Sequence, residues 1–298
     1  MKDAPERVFR HTLINPVLDK EFRLRMRSFR SPLAILLYLI AVGLLAFGFI
    51  YLNVLGSGGA PRINSSQSRD MFYFLSVAQL VLVAFMTPGL TAGVISGERE
   101  KQTLGMLLTT QMSSTTIVVS KLVSALSFML LVVVATLPIY SIVFLYGGIS
   151  PGQLALVFLF YVFTMVALGA FGVLFSTLMK RTMVAVVVTY GTMLFLFGGT
   201  ALAYLFLQGI DQALHNNGSP GTAHFYWIGL VIGMNPVAAL LSIFEPGMSE
   251  QIYRSPGNGI YEPPFAIWQQ FVVGYALLAA GAIWLSVRYI RPRLKRRG

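Results

Sequence analysis

Glu98-Arg99-Glu100-Lys101 is a run of four alternating charges between two long apolar runs. Opposite charges at successive positions make neither an acid–base pair nor a metal cage. They can fix register against a partner and compensate the partial charges of a helix end. Thr103, Leu104, Leu107 and Leu108 follow directly, with Met106 among them, so an apolar face begins where the charges stop. A short helix built this way can lay its apolar side into a cleft on a soluble subunit while its charges set the register. A loop that only ends a span has the same residues, and the spacing alone does not choose between the two.

Other chemistry is conspicuous by its absence from the sequence. No G-x-x-x-x-G-K-[ST] occurs, so a nucleotide is not bound through a P-loop in this chain. There is no cysteine, hence no disulfide framework and no thiolate nucleophile. His11, His215 and His224 are too scattered for metal-ligand spacing. Gly56-Ser57-Gly58-Gly59 has no His or Lys base nearby and reads as a flexible turn rather than a nucleophile loop. No catalytic residue, metal or cofactor is therefore assigned to this chain.

The elements that must position the charged run are membrane spans. Hydrophobic residues make up 56% of the 298 residues and charged residues only 11%, with mean hydropathy +0.72. A soluble chain carries about 25% charge, so the expected class is an all-α integral membrane protein. Six runs, 32–55, 71–95, 122–146, 154–179, 183–207 and 265–289, reach the roughly 20 residues that cross a hydrocarbon core of about 30 Å. In lipid the backbone must satisfy its own hydrogen bonds, so each run is predicted to be a helix. The first run is too long for a signal-peptide core and has no A-x-A-like cleavage site, so it is read as a retained span.

The net charge of +11 does not indicate nucleic acid, because the basic residues flank the spans. Of the 22 Lys and Arg, only Arg62, Arg69 and Arg254 fall on one side; the rest, eight of them in residues 1–31, fall on the other. The positive-inside rule then places both termini in the cytoplasm. A seventh apolar stretch, 225–244, is interrupted by Gly229, Gly233 and Asn235-Pro236, and crossing would put the basic tail outside. It is expected to be a non-spanning helical element, re-entrant or interfacial, within an external loop 208–264. Before the first span, residues 15–30 place Leu18, Phe22, Met26 and Phe29 on one helical face, with Arg23 among the cations away from it. That is the pattern of an interfacial helix whose cations meet anionic membrane lipids.

No Asp, Glu, Lys or His lies deep within a span, which disfavours an ion-coupled carrier with carboxylate relays. Asn53, Gln79, Thr164 and Thr189 are the candidate pathway polar groups, although such residues more commonly hydrogen-bond one helix to another.

Residues 97–113, GEREKQTLGMLLTTQMS, resemble the G-E-R-E-K-G-T-L-E-L-L-L-T-T-P-[LM]-S pattern of ABC-2 type permeases, departing at Gln102, Gly105, Met106 and Gln111. The opening Asn15-Pro16-Val17-Leu18-Asp19-Lys20-Glu21-Phe22-Arg23 is similar to that family's N-terminal elbow helix, and to a branch associated with multicopper-enzyme maturation. Asn235-Pro236 resembles a motif before its last span. The resemblance implies one transmembrane domain over 1–298, with the elbow helix at 15–30 and the coupling loop at 97–120. Glu98, Arg99, Glu100 and Lys101 would lead into a coupling helix that docks an ATPase through Thr103, Leu104, Leu107 and Leu108.

The resemblance further implies a second permease subunit, identical or paralogous, and a soluble ATP-binding-cassette ATPase that alone binds ATP and Mg. Together these make a multi-pass exporter of the cytoplasmic membrane working by alternating access. Without the resemblance, the same residues are compatible with a membrane scaffold or sensor docking a soluble partner through 97–120, or with an ion-coupled carrier.

Overall fold

The computed structural model describes residues 29–56, 65–104, 113–145, 147–216, 227–253 and 265–290. All regular elements among them are helical. In chain order they are α1 (Arg30–Gly56), α2 (Ser65–Thr91), α3 (Ser96–Glu100), α4 (Ser114–Ala135), α5 (Leu137–Leu145), α6 (Pro151–Leu178) and α7 (Thr182–Leu194). A π-helical turn (Phe195–Gly199) joins α7 to α8 (Thr200–Asn216), followed by α9 (Trp227–Gly233), α10 (Pro236–Phe244), α11 (Gly247–Tyr253) and α12 (Ile267–Ile290). Among the described residues, six helical segments are long and apolar enough to cross a membrane: Ser31–Asn53, Ser66–Glu100, Ser114–Leu145, Pro151–Leu178, Thr182–Ala213 and Ile267–Ile290. Residues Leu18, Phe22, Arg23, Met26, Leu107 and Leu108 lie outside the described residues.

The helices begin where local chemistry lets them. Ser150 caps α6 with a complete capping box: its Oγ accepts from Gln153 N (3.1 Å) and its N donates to Gln153 Oε1 (3.2 Å). Pro151 sits in the first turn, where a missing N–H costs nothing. Ser113 caps α4 by accepting from Thr116 N (3.1 Å). The third span is not continuous. It breaks at Thr136, because Pro138 has no N–H to offer the carbonyl four residues back. Gln79 bridges that break from α2, its Nε2 donating to Thr136 Oγ1 (3.0 Å).

α6 is the central helix. α2, α4, α7, α10 and α12 all pack on it. Its small residues allow close approach: a Cβ at Gly172 would stand 2.0 Å from Thr91 Oγ1 of α2. Aromatic pairs fix the other contacts. Phe271 of α12 packs on Phe160 (5.2 Å) and Phe163 (6.0 Å) of α6. Phe244 of α10 stacks on Tyr73 (4.4 Å) and meets Phe72 edge-on (5.4 Å). α1 and the α7–α8 segment are the least covered, with Leu37, Phe47, Leu52, Val187, Phe195 and Phe206 exposed. Toward lipid such side chains carry no hydrophobic penalty.

The end of the bundle at which α1 starts is called basal below, the opposite end distal. Within the predicted 225–244 stretch, α9 and α10 have seven and nine residues, each shorter than the roughly 20 that a helical crossing takes. They meet at Asn235, whose Oδ1 accepts from Val237 N (2.9 Å) and Ala238 N (3.2 Å). Its Nδ2 donates to the Phe197 carbonyl (2.7 Å) and Thr200 Oγ1 (2.9 Å). Tyr275 Oη, eight residues into α12, donates to the Met234 carbonyl (2.9 Å) and ties the turn to that helix. Protein groups thus satisfy the non-helical backbone between α9 and α10.

Candidate functional site

The charged run lies at the basal end, where α2 stops and restarts as α3. After Thr91 the chain makes a turn over 92–95 that leaves the first N–H groups of α3 without intrahelical acceptors. Ser176 of α6 supplies the missing acceptor. Its Oγ accepts from Ile95 N (2.8 Å) and Ser96 N (2.9 Å) and donates to Ser96 Oγ (3.2 Å), so all its capacity is used. Gly93 and Gly97 keep this turn close to α7: a Cβ at Gly93 would stand 3.2 Å from Thr182 Cγ2.

α3 ends in a Schellman motif. Thr103 N donates to the Glu98 carbonyl (3.0 Å) and Gln102 N to the Arg99 carbonyl (3.1 Å). Gln102 takes the left-handed position, φ 57°, that such a cap requires. The family pattern has glycine at that position, and the cap is its physical reason.

Each of three charges in the run is committed to a different helix. Glu98 Oε1 accepts from Lys121 Nζ of α4 (2.9 Å), and its Oε2 accepts from Thr103 Oγ1. Arg99 reaches the C-terminus of α6, donating from Nη1 to the Met179 carbonyl (3.0 Å) and from Nη2 to the Thr177 carbonyl (3.0 Å). Those are carbonyls that a helix end leaves unbonded, at the negative pole of its dipole. The Glu100 carboxylate accepts from Thr182 N (2.7 Å) and Thr182 Oγ1 (2.9 Å), at the first residue of α7. Arg181, which precedes α7, provides no side-chain cap, so a carboxylate 82 residues away in sequence caps that helix. Lys101 is exposed.

Leu104 turns inward. It is half-buried against the basal cluster of Ile95, Ile117, Val118, Leu122, Val173 and Ile290. Thr103 is held to Glu98. Glu98, Arg99, Glu100, Thr103 and Leu104 therefore form one cluster, whose contacts are with their own bundle. Phe29, the one described member of the predicted elbow face, is exposed.

The candidate pathway groups are dispersed and self-satisfied. Gln79, Thr164 and Thr189 are buried. Thr164 Oγ1 donates to the Phe160 carbonyl (2.9 Å) and Thr189 Oγ1 to the Ala185 carbonyl (2.6 Å), each within its own helix. Asn53 Nδ2 donates to the Phe49 carbonyl (2.9 Å). Gln79 reaches from α2 to the Thr136 break. Among the described residues no three His, Asp or Glu converge as metal ligands would.

Ser176, Thr182 and Lys121 were not singled out by sequence reasoning as members of the site. Their partners lie 80, 82 and 23 residues away, beyond the reach of any periodicity. The visible signals were the short Lys180-Arg181 link, which keeps α6 and α7 ends together, and Lys121 at the head of a span.

The arrangement ties four helices at one end. Six apolar helices over such a joint define a polytopic membrane protein. A family model described as ABC-2 family transporter protein matches residues 15–284, and the chain belongs to that family. Membership makes it a permease component of an ABC transporter, a class whose membrane component is generally non-catalytic and in general works with an ATP-binding cassette. No curated protein matches the chain.

Proposed function

We propose that this chain is the transmembrane subunit of an ATP-driven exporter in the cytoplasmic membrane, with both termini and the charged joint on the cytoplasmic side. Family membership over residues 15–284 is the observation that carries this reading. The charge asymmetry of the flanks supports the orientation. A soluble ATPase subunit binds ATP and Mg and docks on the 97–120 loop. A second permease, identical or paralogous, completes the translocation route, and substrate crosses by alternating access between the two bundles.

Leu104 packs into its own bundle, so its replacement would confuse docking with folding. Leu107 and Leu108 carry the cleaner test. The complex is purified in mild detergent and its components are identified by mass spectrometry. A stoichiometric subunit with a P-loop is expected, lost on Leu107→Asp/Leu108→Asp while the permease keeps its melting temperature, because a buried charge is strongly disfavoured in an apolar contact. Recovery of the chain without an ATPase, under conditions that preserve a known exporter, overturns the reading in favour of a scaffold or carrier.

A further inference from the structure

The charges of the 98–100 run are occupied within the bundle, which leaves them another role than docking. Glu98 holds α4 through Lys121, Arg99 holds the end of α6, and Glu100 holds the start of α7. Charge-assisted hydrogen bonds are short and directional, whereas apolar helix contacts can slide past one another. We infer that Glu100, held in place by the Glu98 and Arg99 contacts of α3, is a positioning residue that makes α7 a lever, linking the 97–120 loop to the turn at Asn235. This inference rests on the proposed function and adds the route by which motion crosses the bundle.

The route is a continuous set of bonds. Displacement of the segment after Lys101 pulls on Glu100, and Glu100 is bonded at two atoms to Thr182, the first residue of α7. Tyr190 steadies α7 on α2, its Oη donating to the Phe85 carbonyl (2.8 Å). α7 runs into the π-helical turn Phe195–Gly199, whose altered bonding is characteristic of functional sites within helices. The Phe197 carbonyl of this turn and Thr200 Oγ1 at the start of α8 both accept from Nδ2 of Asn235, the residue that holds the end of α9 to the start of α10. Both ends of the lever are thus polar and pinned, and the length between them is helix.

The chain has no cysteine, so an introduced pair supplies its only thiols. Glu100→Cys/Thr182→Cys breaks the joint when left unbridged. A methanediyl bis-methanethiosulfonate bridge between the two restores a link, and a reductant removes it again. The readout is amide hydrogen exchange over residues 227–244 in the purified complex with its ATPase, nucleotide-free against vanadate-trapped with MgATP. The wild-type complex, carried through the same reagents, is expected to show a nucleotide-dependent change there.

The unbridged variant is expected to retain the ATPase but lose that change; bridging restores it and reduction abolishes it. A purely structural joint would alter stability without following the bridge. A wild-type complex with no change at 227–244, an unbridged variant with the full wild-type change, or a bridged variant that stays silent would each overturn the inference. Absence of an ATPase from the wild-type preparation would instead remove the proposed function beneath it.

Discussion

Gln102 sits in the left-handed region at φ 57°, closing α3 where a residue with a Cβ is strained. Gln102→Gly is expected to raise stability by about 1 kcal/mol, since the cap geometry is retained and the steric cost removed. Thermal unfolding of the purified protein measures this, and a lower melting temperature would contradict the assigned cap. Ser176 stands in the opposite position. It is fully buried and is the acceptor for two backbone N–H groups, so Ser176→Ala leaves both unsatisfied. A loss of about 1–3 kcal/mol is expected in the same assay. Tyr38 Oη is buried and has no hydrogen-bond partner among the described residues. Tyr38→Phe should therefore unfold at the same or a higher temperature, and a clear drop would show that the hydroxyl is satisfied after all. At this scale the sequence displayed the charges of the joint but not what each one holds. Glu98, Arg99 and Glu100 have partners on three helices, and a side chain's partner follows from packing rather than from neighbouring residues.

Among the elements, α2 and α6 approach most closely at Gly172. An added methyl there would collide with Thr91 Oγ1 at 2.0 Å and Cβ at 2.8 Å. Gly172→Ala should cost about 1–3 kcal/mol through overpacking, and Thr91→Ala in the same chain should restore part of it. Gly43 of α1 has nothing within 4 Å of its would-be Cβ. Gly43→Ala is expected to be neutral or stabilising by about 0.5–1 kcal/mol, because alanine is the better helix former. If the two substitutions behaved alike, close packing would not distinguish them. The α9–α10 pair shows how far a breaker can be read in advance. Asn235-Pro236 announced an interruption, because proline has no N–H and Asn is a strong cap. The destination of the spare Asn235 amide, on the π-helical turn 38 residues earlier, was not legible. The break at Thr136 was also locally encoded by Pro138, yet the surrounding apolar run reads as a single span.

For the whole molecule, orientation is the property to test first. An impermeant maleimide should label Ser255→Cys in intact cells and Lys180→Cys only after lysis, as the charge asymmetry requires. The reverse pattern would invert the proposed topology. The chain's lack of cysteine makes each introduced thiol unambiguous. The sequence by itself determined that the protein is helical and that six segments are long and apolar enough to cross. These follow from the bilayer, which demands internally bonded backbone over a fixed thickness and so reduces a span to length and hydropathy. Tertiary structure alone decided that α6 is the centre, that Leu104 faces inward, and that the charged run clamps three helices. In an apolar bundle the residues that choose neighbours are a few small and polar ones, and their partners are set by the approach of helices distant in sequence.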